Sequence, residues 1–340
     1  MSRVKIIAEI GVNHNGDIDL AYKMIDAAAE CGANFVKFQT YKTEYLVSDN
    51  APKADYQVKN TNTKGTQFGM LKKLELGTKE HYKLLDYCQA RGVVFLSSAF
   101  DLASLEFLNK LRLPLFKIPS GEITNYPYLR AVAIMGKPVI LSTGMATMDE
   151  VEASVQVLLD NGLEKSKITV LHCNTEYPTP YEDVNLVAMK TLAEKLQVAV
   201  GYSDHTLGSE VAIASVALGA LVIEKHFTLD QNLLGPDHKA SMEPKDFKTM
   251  VQAIRNIEKA ISASGEKTPS ASEIKNIPIA RKSIFLTQDL LIGTVLEDHH
   301  LIPLRPGTGI SPMMWNDVIG RSINKTLSQG HQLTWDDLVV

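Results

Sequence analysis

The chain has 340 residues, 45% hydrophobic and 22% charged, with 35 basic and 39 acidic residues mixed along its length. That composition belongs to ordinary globular proteins whose core is large enough to need neither disulfides nor a structural metal. A formal charge of −4 without a concentrated basic patch argues against a nucleic-acid partner, although a few local lysines can still serve an anionic ligand.

Three cysteines, Cys31, Cys88 and Cys173, form no CxxC pair. Their odd number and spacing point to a reducing cytoplasm rather than a disulfide framework. The first apolar run, Val4–Ala8, stops at Glu9, too early for a secretory leader. No run reaches membrane-spanning length. The expectation is a soluble, cytoplasmic protein with no membrane partner.

In chain order, eight short apolar runs read as strands: Val4–Val12, Phe35–Thr40, Val93–Phe100, Leu115–Gly121, Pro138–Gly144, Ile168–Thr175, Val198–His205 and Leu221–Thr228. Helical spacing fills the gaps. Leu20, Met24, Ala27 and Ala28 precede Gly32, and Met148, Val151, Val155 and Leu158 precede Gly162. The runs are nearly continuous rather than alternating, as parallel strands covered on both faces are. Eight such units by about residue 265 predict a closed (β/α)₈ TIM barrel, with an open doubly wound sheet as the alternative. Phe247, Met250, Ile254, Ile257 and Ile261 form one stripe and predict a last barrel helix over Pro244–Ala263. Ser262–Glu273 is small and polar, a linker by content. The expected organisation is a barrel over 1–264, a linker over 265–281 and a small module over 282–340. So small a module is expected to lean on a barrel, its own or a partner's.

Barrel active sites lie at the carboxyl ends of the strands. Here those ends carry Glu9; Lys37 and Gln39; Ser98; Lys117, Ser120 and Glu122; Ser142; Thr175 and Tyr177; Ser203, Asp204 and His205; and Glu224, Lys225 and His226. One polar strand end is ordinary capping. Eight at one end of a barrel point to a site, because unpaired buried charge is costly. Neighbouring strands lie ~5 Å apart, so His205 and His226 can reach one divalent cation with positions left open. The lack of thiolates favours Mn²⁺ or Mg²⁺ over structural zinc; the plainer alternative is that both histidines bond the neighbouring carboxylates. Lys37 and Lys117 suit a phosphate or carboxylate, or one of them a Schiff base. Glu122 is the candidate general acid or base, or else a carboxylate that orients a neighbour.

The ordered stretches AEIGVNHNG (Ala8–Gly16), VKFQT (Val36–Thr40), KIPSGE (Lys117–Glu122), LSTGM (Leu141–Met145), LHCNTEYPTP (Leu171–Pro180), GYSDHT (Gly201–Thr206), IEKHFT (Ile223–Thr228) and GPD (Gly235–Asp237) resemble the sialic acid synthases. The tail stretch LRPGTGI (Leu304–Ile310) resembles their antifreeze-like (SAF) module. The resemblance implies condensation of phosphoenolpyruvate with the open-chain aldehyde of an N-acylated amino sugar, with release of phosphate. It implies His205 and His226 as ligands of a divalent metal, Mn²⁺ with Mg²⁺ or Co²⁺ as substitutes. It implies Lys37, Lys117, Ser120, Ser142 and Ser203 around phosphoenolpyruvate, and Glu122 as acid/base group. Glu9, Gln39, Tyr177 and Asp237 fall on the sugar side, and Ser98 and Thr175 join the substrate-binding set. Arg305 would reach from the SAF module into a partner's barrel, implying a domain-swapped homodimer. Some members carry Asn where Thr175 stands. The Thr-Glu-Tyr form and the Ala51–Gln57 loop occur in both N-acetylneuraminate and N,N'-diacetyllegionaminate synthases, whereas pseudaminate synthases differ at the sixth strand. The expected acceptor is N-acetylmannosamine, giving N-acetylneuraminate. The alternative is 2,4-diacetamido-2,4,6-trideoxymannose, giving N,N'-diacetyllegionaminate. More remote rivals are a Schiff-base aldolase and a carbohydrate- or ice-binding protein.

Overall fold

The computed structural model describes residues 3–54, 57–58, 60 and 65–339. Asp55 and Tyr56 of the Ala51–Gln57 loop lie outside them. The chain divides into two compact units, Met1–Ser262 and Ala263–Val340. Among the described residues no helix is long and apolar enough to cross a membrane.

In the first unit eight parallel strands close into a barrel in sequence order: β1 (Lys5–Gly11), β2 (Phe35–Thr40), β3 (Val94–Ala99), β4 (Phe116–Ile118), β5 (Val139–Ser142), β6 (Ile168–His172), β7 (Ala199–Asp204) and β8 (Val222–His226). Closure is made by β1 pairing with β8, Glu9 opposite His226. The open-sheet alternative is thereby excluded. Several strands are shorter than their apolar runs. Leu115–Gly121 yields only Phe116–Ile118, because Pro119 cannot donate to a ladder and Ser120–Glu122 coils into a 3₁₀ turn.

Around the barrel lie α1 (Ile18–Glu30), α2 (Thr43–Leu46), α3 (Gln67–Leu74), α4 (Thr78–Ala90), α5 (Leu102–Lys110), α6 (Tyr126–Ile134), α7 (Met148–Asp160), α8 (Ala188–Leu196), α9 (Glu210–Ala217) and α10 (Pro244–Ala260). Their starts are written in the sequence. The Asp17 carboxylate accepts from the first turn of α1, Asp101 caps α5, and Thr147 with Glu150 makes a capping box on α7. α10 begins with proline in its first turn and buries Phe247, Met250 and Ile254. It ends at Ala260, short of the expected Ala263.

The barrel interior explains where the site sits. Ile7, Phe35, Leu96, Leu115, Ile140, Leu171 and Val222 form a separate apolar layer inside it. Side chains two residues apart on a strand share a face. Two residues on from that layer stand Glu9, Lys37, Ser98, Lys117, Ser142, Cys173 and Glu224. One alternation thus places a polar layer on an apolar plug. Gly201 lets β7 and β8 approach closely: a Cβ there would lie 2.3 Å from the Val222 carbonyl oxygen.

In the second unit β9 (Ser283–Leu286) pairs antiparallel with β10 (Leu301–Leu304). A small core of Ile284, Leu286, Leu296, Val318, Ile323 and Leu333 is fully or almost fully buried. The expected linker carries two one-turn helices, Ala271–Ile274 and Ile277–Ala280.

Candidate active site

The polar layer opens into a cavity of about 500 Å³ at the carboxyl ends of the strands. Glu9, Lys37, Gln39, Ser98, Lys117, Ser120 and Ser142 border it from β1 to β5. Thr175, Tyr177, Ser203, His205, Glu224, His226 and Asp237 border it from the far side. Of the expected site residues in the first unit, one is absent from its walls. Glu122 is buried just outside, its carboxylate accepting from Asn125 Nδ2 at 2.5 Å. Arg305 belongs to the second unit, where it is exposed and donates through Nε to the Ala280 carbonyl at 3.0 Å.

The floor is a chain of alternating charges. Lys37 Nζ lies 2.8 Å from Glu9 and 3.7 Å from Glu224. It also donates to Ser98 Oγ at 3.2 Å. Lys117 Nζ lies 3.2 Å from the same Glu224 oxygen, to which Ser203 donates at 3.1 Å. All four charged side chains are at most 6% exposed. Isolated, each would cost several kcal/mol to bury; together they neutralise one another. Burial raises the Glu9 pKa, and Glu224 beside it adds to the rise against the pull of Lys37. Burial also opposes charge on Glu224, but Lys117 and Lys37 outweigh it and hold that carboxylate well below the usual range. Burial works against the charge of Lys37 as well, yet Glu224 and Glu9 keep its pKa above an ordinary lysine's. Lys117, with Lys37 nearby, is pushed down by its burial. Glu224 is therefore the ionised hub of the floor. Its inward direction follows from the alternation that carries Val222, Glu224 and His226 up one face.

Beside the floor, the Gly144 amide donates to Ser120 Oγ at 2.9 Å. A Cβ at Gly144 would strike that hydroxyl and the Thr175 methyl at 2.9 and 2.5 Å. Glycine here keeps the turn after β5 against Ser120 and Thr175. Ser142 Oγ and Glu224 Oε2 are buried and have no hydrogen-bond partner among the described residues. Buried polar atoms are nearly always paired, so this corner is built to receive polar atoms from outside the chain.

His205 and His226 face each other with ring centroids 5.4 Å apart, and Tyr177 covers His205 at 4.2 Å. His205 Nδ1 donates to the Asn174 carbonyl at 2.5 Å, which leaves Nε2 as the atom with the lone pair. His226 Nδ1 is buried without a partner among the described residues. Burial lowers the His205 pKa to about 4 and that of His226 well below the usual value. Two neutral imidazoles, one tautomer fixed by a carbonyl and one nitrogen unpaired, fit a divalent cation whose other positions go to substrate or water. Among the described residues no cluster of three or more His, Cys, Asp or Glu converges on a metal position. The alternative in which both rings bond Asp204 and Glu224 does not hold for Asp204. Its carboxylate turns outward to Lys225 at 2.8 Å and to the amide and hydroxyl of Thr206. Asp237 is also buried at the cavity wall, which raises its pKa to about 6.

Fold and site together define a (β/α)₈-barrel protein whose cavity has a buried floor of two lysines and two glutamates beside two neutral histidines. The chain belongs to the NeuB family, which matches residues 24–266, and a SAF domain matches residues 281–339. It is 49% identical to the N,N'-diacetyllegionaminic acid synthase of Campylobacter jejuni over 97% of this chain and 98% of that protein. It is 46% identical to the protein of the same name from Legionella pneumophila over 98% and 94%. Among solved structures it is similar to the N-acetylneuraminic acid (sialic acid) synthetase of Leptospira borgpetersenii in complex with citrate, at TM-score 0.70 and 37% identity over 81% of this chain and 90% of that one. Motif resemblance, fold and family agree on the sialic acid synthase family.

Proposed function

We propose that this protein is a nonulosonate synthase that condenses phosphoenolpyruvate with 2,4-diacetamido-2,4,6-trideoxymannose, giving N,N'-diacetyllegionaminate and phosphate. The acceptor differs from the N-acetylmannosamine expected on motifs. The observation that carries it is full-length similarity at 49% and 46% to two proteins named for that product, against 37% for the sialic acid synthetase.

The residues support the chemistry as follows. C3 of phosphoenolpyruvate bonds to the aldehyde carbon, water adds at C2, and the C2–O bond to phosphate breaks. Lys37 and Lys117 supply positive charge for the donor's phosphate and carboxylate, and the Ser142 hydroxyl and the Ser120–Gly144 turn supply donors around it. Oriented donors aimed at developing charge are worth about 2.7–4 kcal/mol each in such sites. Glu224 keeps the two ammonium groups from repelling each other while the donor is absent. Glu9 and Asp237 are cavity carboxylates with pKa values raised by burial, and Glu9, on the floor beside Lys37, is suited to take and return a proton at a carboxyl oxygen near neutral pH. Glu122, of which that role was expected, follows Gly121 of the cavity wall and accepts from Asn125, and burial raises its pKa as well. Gln39, Tyr177 and Asp237 line the acceptor side, and Tyr177 excludes water from the imidazoles. A divalent cation held by His205 and His226, Mn²⁺ before Mg²⁺ or Co²⁺, would polarise the acceptor aldehyde. The exposed guanidinium of Arg305 supports a role toward a partner's cavity in a domain-swapped homodimer. The cytoplasm is the compartment that goes with phosphoenolpyruvate as donor.

The test is phosphate release from phosphoenolpyruvate with Mn²⁺ and either acceptor. Faster turnover of the trideoxy sugar is the expected result. Faster turnover of N-acetylmannosamine would return the protein to N-acetylneuraminate synthesis, and borohydride-trapped sugar or pyruvate on a lysine would replace the mechanism with an aldolase's.

A further inference from the structure

The cavity has two unlike halves. Its floor is the charge chain just described. One wall is apolar: Leu46 and Val47 at the end of α2, Met70 and Leu71 on α3, and Phe100 after β3 all border it. Leu71 is buried, and the other four are half-buried. They pack on a cluster of Val12, Tyr41, Leu71 and Leu74 that is separate from the barrel core. Four of its five side chains come from the segment between β2 and α4, which also lends Gln57 and Gln67 to the cavity, and Phe100 follows β3.

The wall is also held in place by more than its own helices can provide. α2 has four residues and no side-chain N-cap bond, and a helix that short does not persist alone. The Glu75 carboxylate clamps it. It accepts from Lys42 Nζ at 2.8 Å, from Thr43 N and Oγ1 at 3.2 and 3.0 Å, and from Lys72 Nζ of α3 at 3.1 Å. Asp101 accepts from Lys42 N at 2.9 Å, and the Tyr41 hydroxyl donates to the Leu71 carbonyl at 3.1 Å. These bonds tie α2, α3 and the start of α5 together behind the apolar side chains. Gln57, which borders the same region, accepts from Ala54 N through its amide oxygen at 3.0 Å.

We propose that this clamped wall selects the acceptor, receiving the methyl-bearing substituents of a 6-deoxy, N-acylated sugar and rejecting hydroxyls at the same positions. The inference rests on the functional reading above and deepens it. N-acetylmannosamine carries hydroxyls at C4 and C6, whereas the trideoxy sugar carries an acetamido group and a methyl. Leu46, Val47, Met70 and Phe100 offer a hydroxyl no side-chain hydrogen-bond partner of ordinary strength, and a hydroxyl buried there loses its water. A methyl on the same surface gains burial and contacts. A single such group in an apolar pocket discriminates by about 10- to 200-fold. The polar floor cannot discriminate in this way, because it meets the donor and the aldehyde, which are common to both acceptors.

The experiment compares kcat/KM for the two acceptors in the full chain with phosphoenolpyruvate and Mn²⁺, for wild type, Met70→Gln and Leu46→Gln. The wild-type ratio alone tests the functional reading. The change in ratio tests the wall. Expected is a wild-type preference for the trideoxy sugar that shrinks by about 10-fold or more in each variant, through acceptor KM, with the KM for phosphoenolpyruvate unmoved. Leu46 closes a one-turn helix and carries the test if Met70→Gln does not fold, with circular dichroism as the check. A trideoxy preference that both variants retain within twofold would overturn the wall while leaving the functional reading intact. A wild-type preference for N-acetylmannosamine would overturn both.

Discussion

Two buried ionic clusters stand back to back on β7 and β8, and they are finished to different degrees. The inner one joins Glu9, Lys37, Glu224, Lys117 and Ser203. The outer one joins Asp204, Lys225 and Thr206: Lys225 Nζ meets Asp204 at 2.8 Å and the Thr206 carbonyl at 2.6 Å, and the other Asp204 oxygen accepts from Thr206 N and Oγ1. Both are almost sealed from solvent. The outer cluster leaves no side-chain atom unpaired, while around the inner one Glu224 Oε2, Ser142 Oγ and His226 Nδ1 lack partners among the described residues. A complete network rigidifies a fold; an incomplete one at the bottom of a cavity is completed by what binds there. One alternation produces both: Ser203 and His205 point inward with Asp204 outward between them, and Glu224 and His226 point inward with Lys225 outward.

The largest effect should come from the inner side. His205→Ala and His226→Ala should each lower kcat/KM by about 10⁴-fold, on the order of 5 kcal/mol of lost transition-state stabilisation, with the circular-dichroism spectrum unchanged. Neither ring supports another residue's burial in the way the outer cluster does. Rates within tenfold of wild type in either variant would remove the two-histidine site and, with it, the reading of the unpaired His226 nitrogen.

The outer side should answer in stability. Lys225→Met leaves the Asp204 carboxylate buried against an apolar side chain and should cost about 3–5 kcal/mol in urea unfolding. Adding Asp204→Leu should recover most of that loss, because a well-packed apolar pair can match a buried ion pair. Lys117→Met sharpens the contrast, since Glu224 there retains Lys37 and Ser203. Stability should fall less than in Lys225→Met, and turnover more. Equal stability losses in the two lysine variants would erase the distinction between the clusters.

This contrast marks how far the sequence could be read. Eight apolar runs ending in Glu9, Lys37, Ser98, Lys117, Ser142, Thr175, His205 and His226 announce a barrel and one polar end, because strand boundaries and chemistry coincide there. They do not say which of Glu224 and Lys225 faces the cavity. That needs the inward direction fixed by Val222 in the apolar layer below. Glu122 follows a Ser-Gly turn at the right end of β4, but the 3₁₀ turn after Pro119 rotates its carboxylate to Asn125. The apolar wall is out of reach for another reason: α2 and α3 are too short to print a helical period, and their positions depend on Glu75 contacts 32 and 33 residues apart and on a Lys72–Glu44 bond 28 residues apart.

The smallest effect expected concerns Asp237, which belongs to neither cluster and has burial as the sole cause of its shift to about 6. The sign follows from linkage. Between the unfolded value near 3.8 and about 6 the folded state binds the extra proton more tightly, so this group's contribution to stability falls as pH rises through that window. Asp237→Asn should remove that dependence. The stability difference between variant and wild type should grow in the variant's favour by up to about 2–3 kcal/mol from pH 4 to pH 7. Glu224 gives the opposite control, since its depressed pKa makes its contribution present above the unfolded value and lost as pH falls below it. A difference curve flat across pH 4–7 would mean that Asp237 is ionised in the folded chain at no cost. The cavity wall would then hold a compensating cation, and the inner region would be more complete than the comparison with Asp204 and Lys225 makes it.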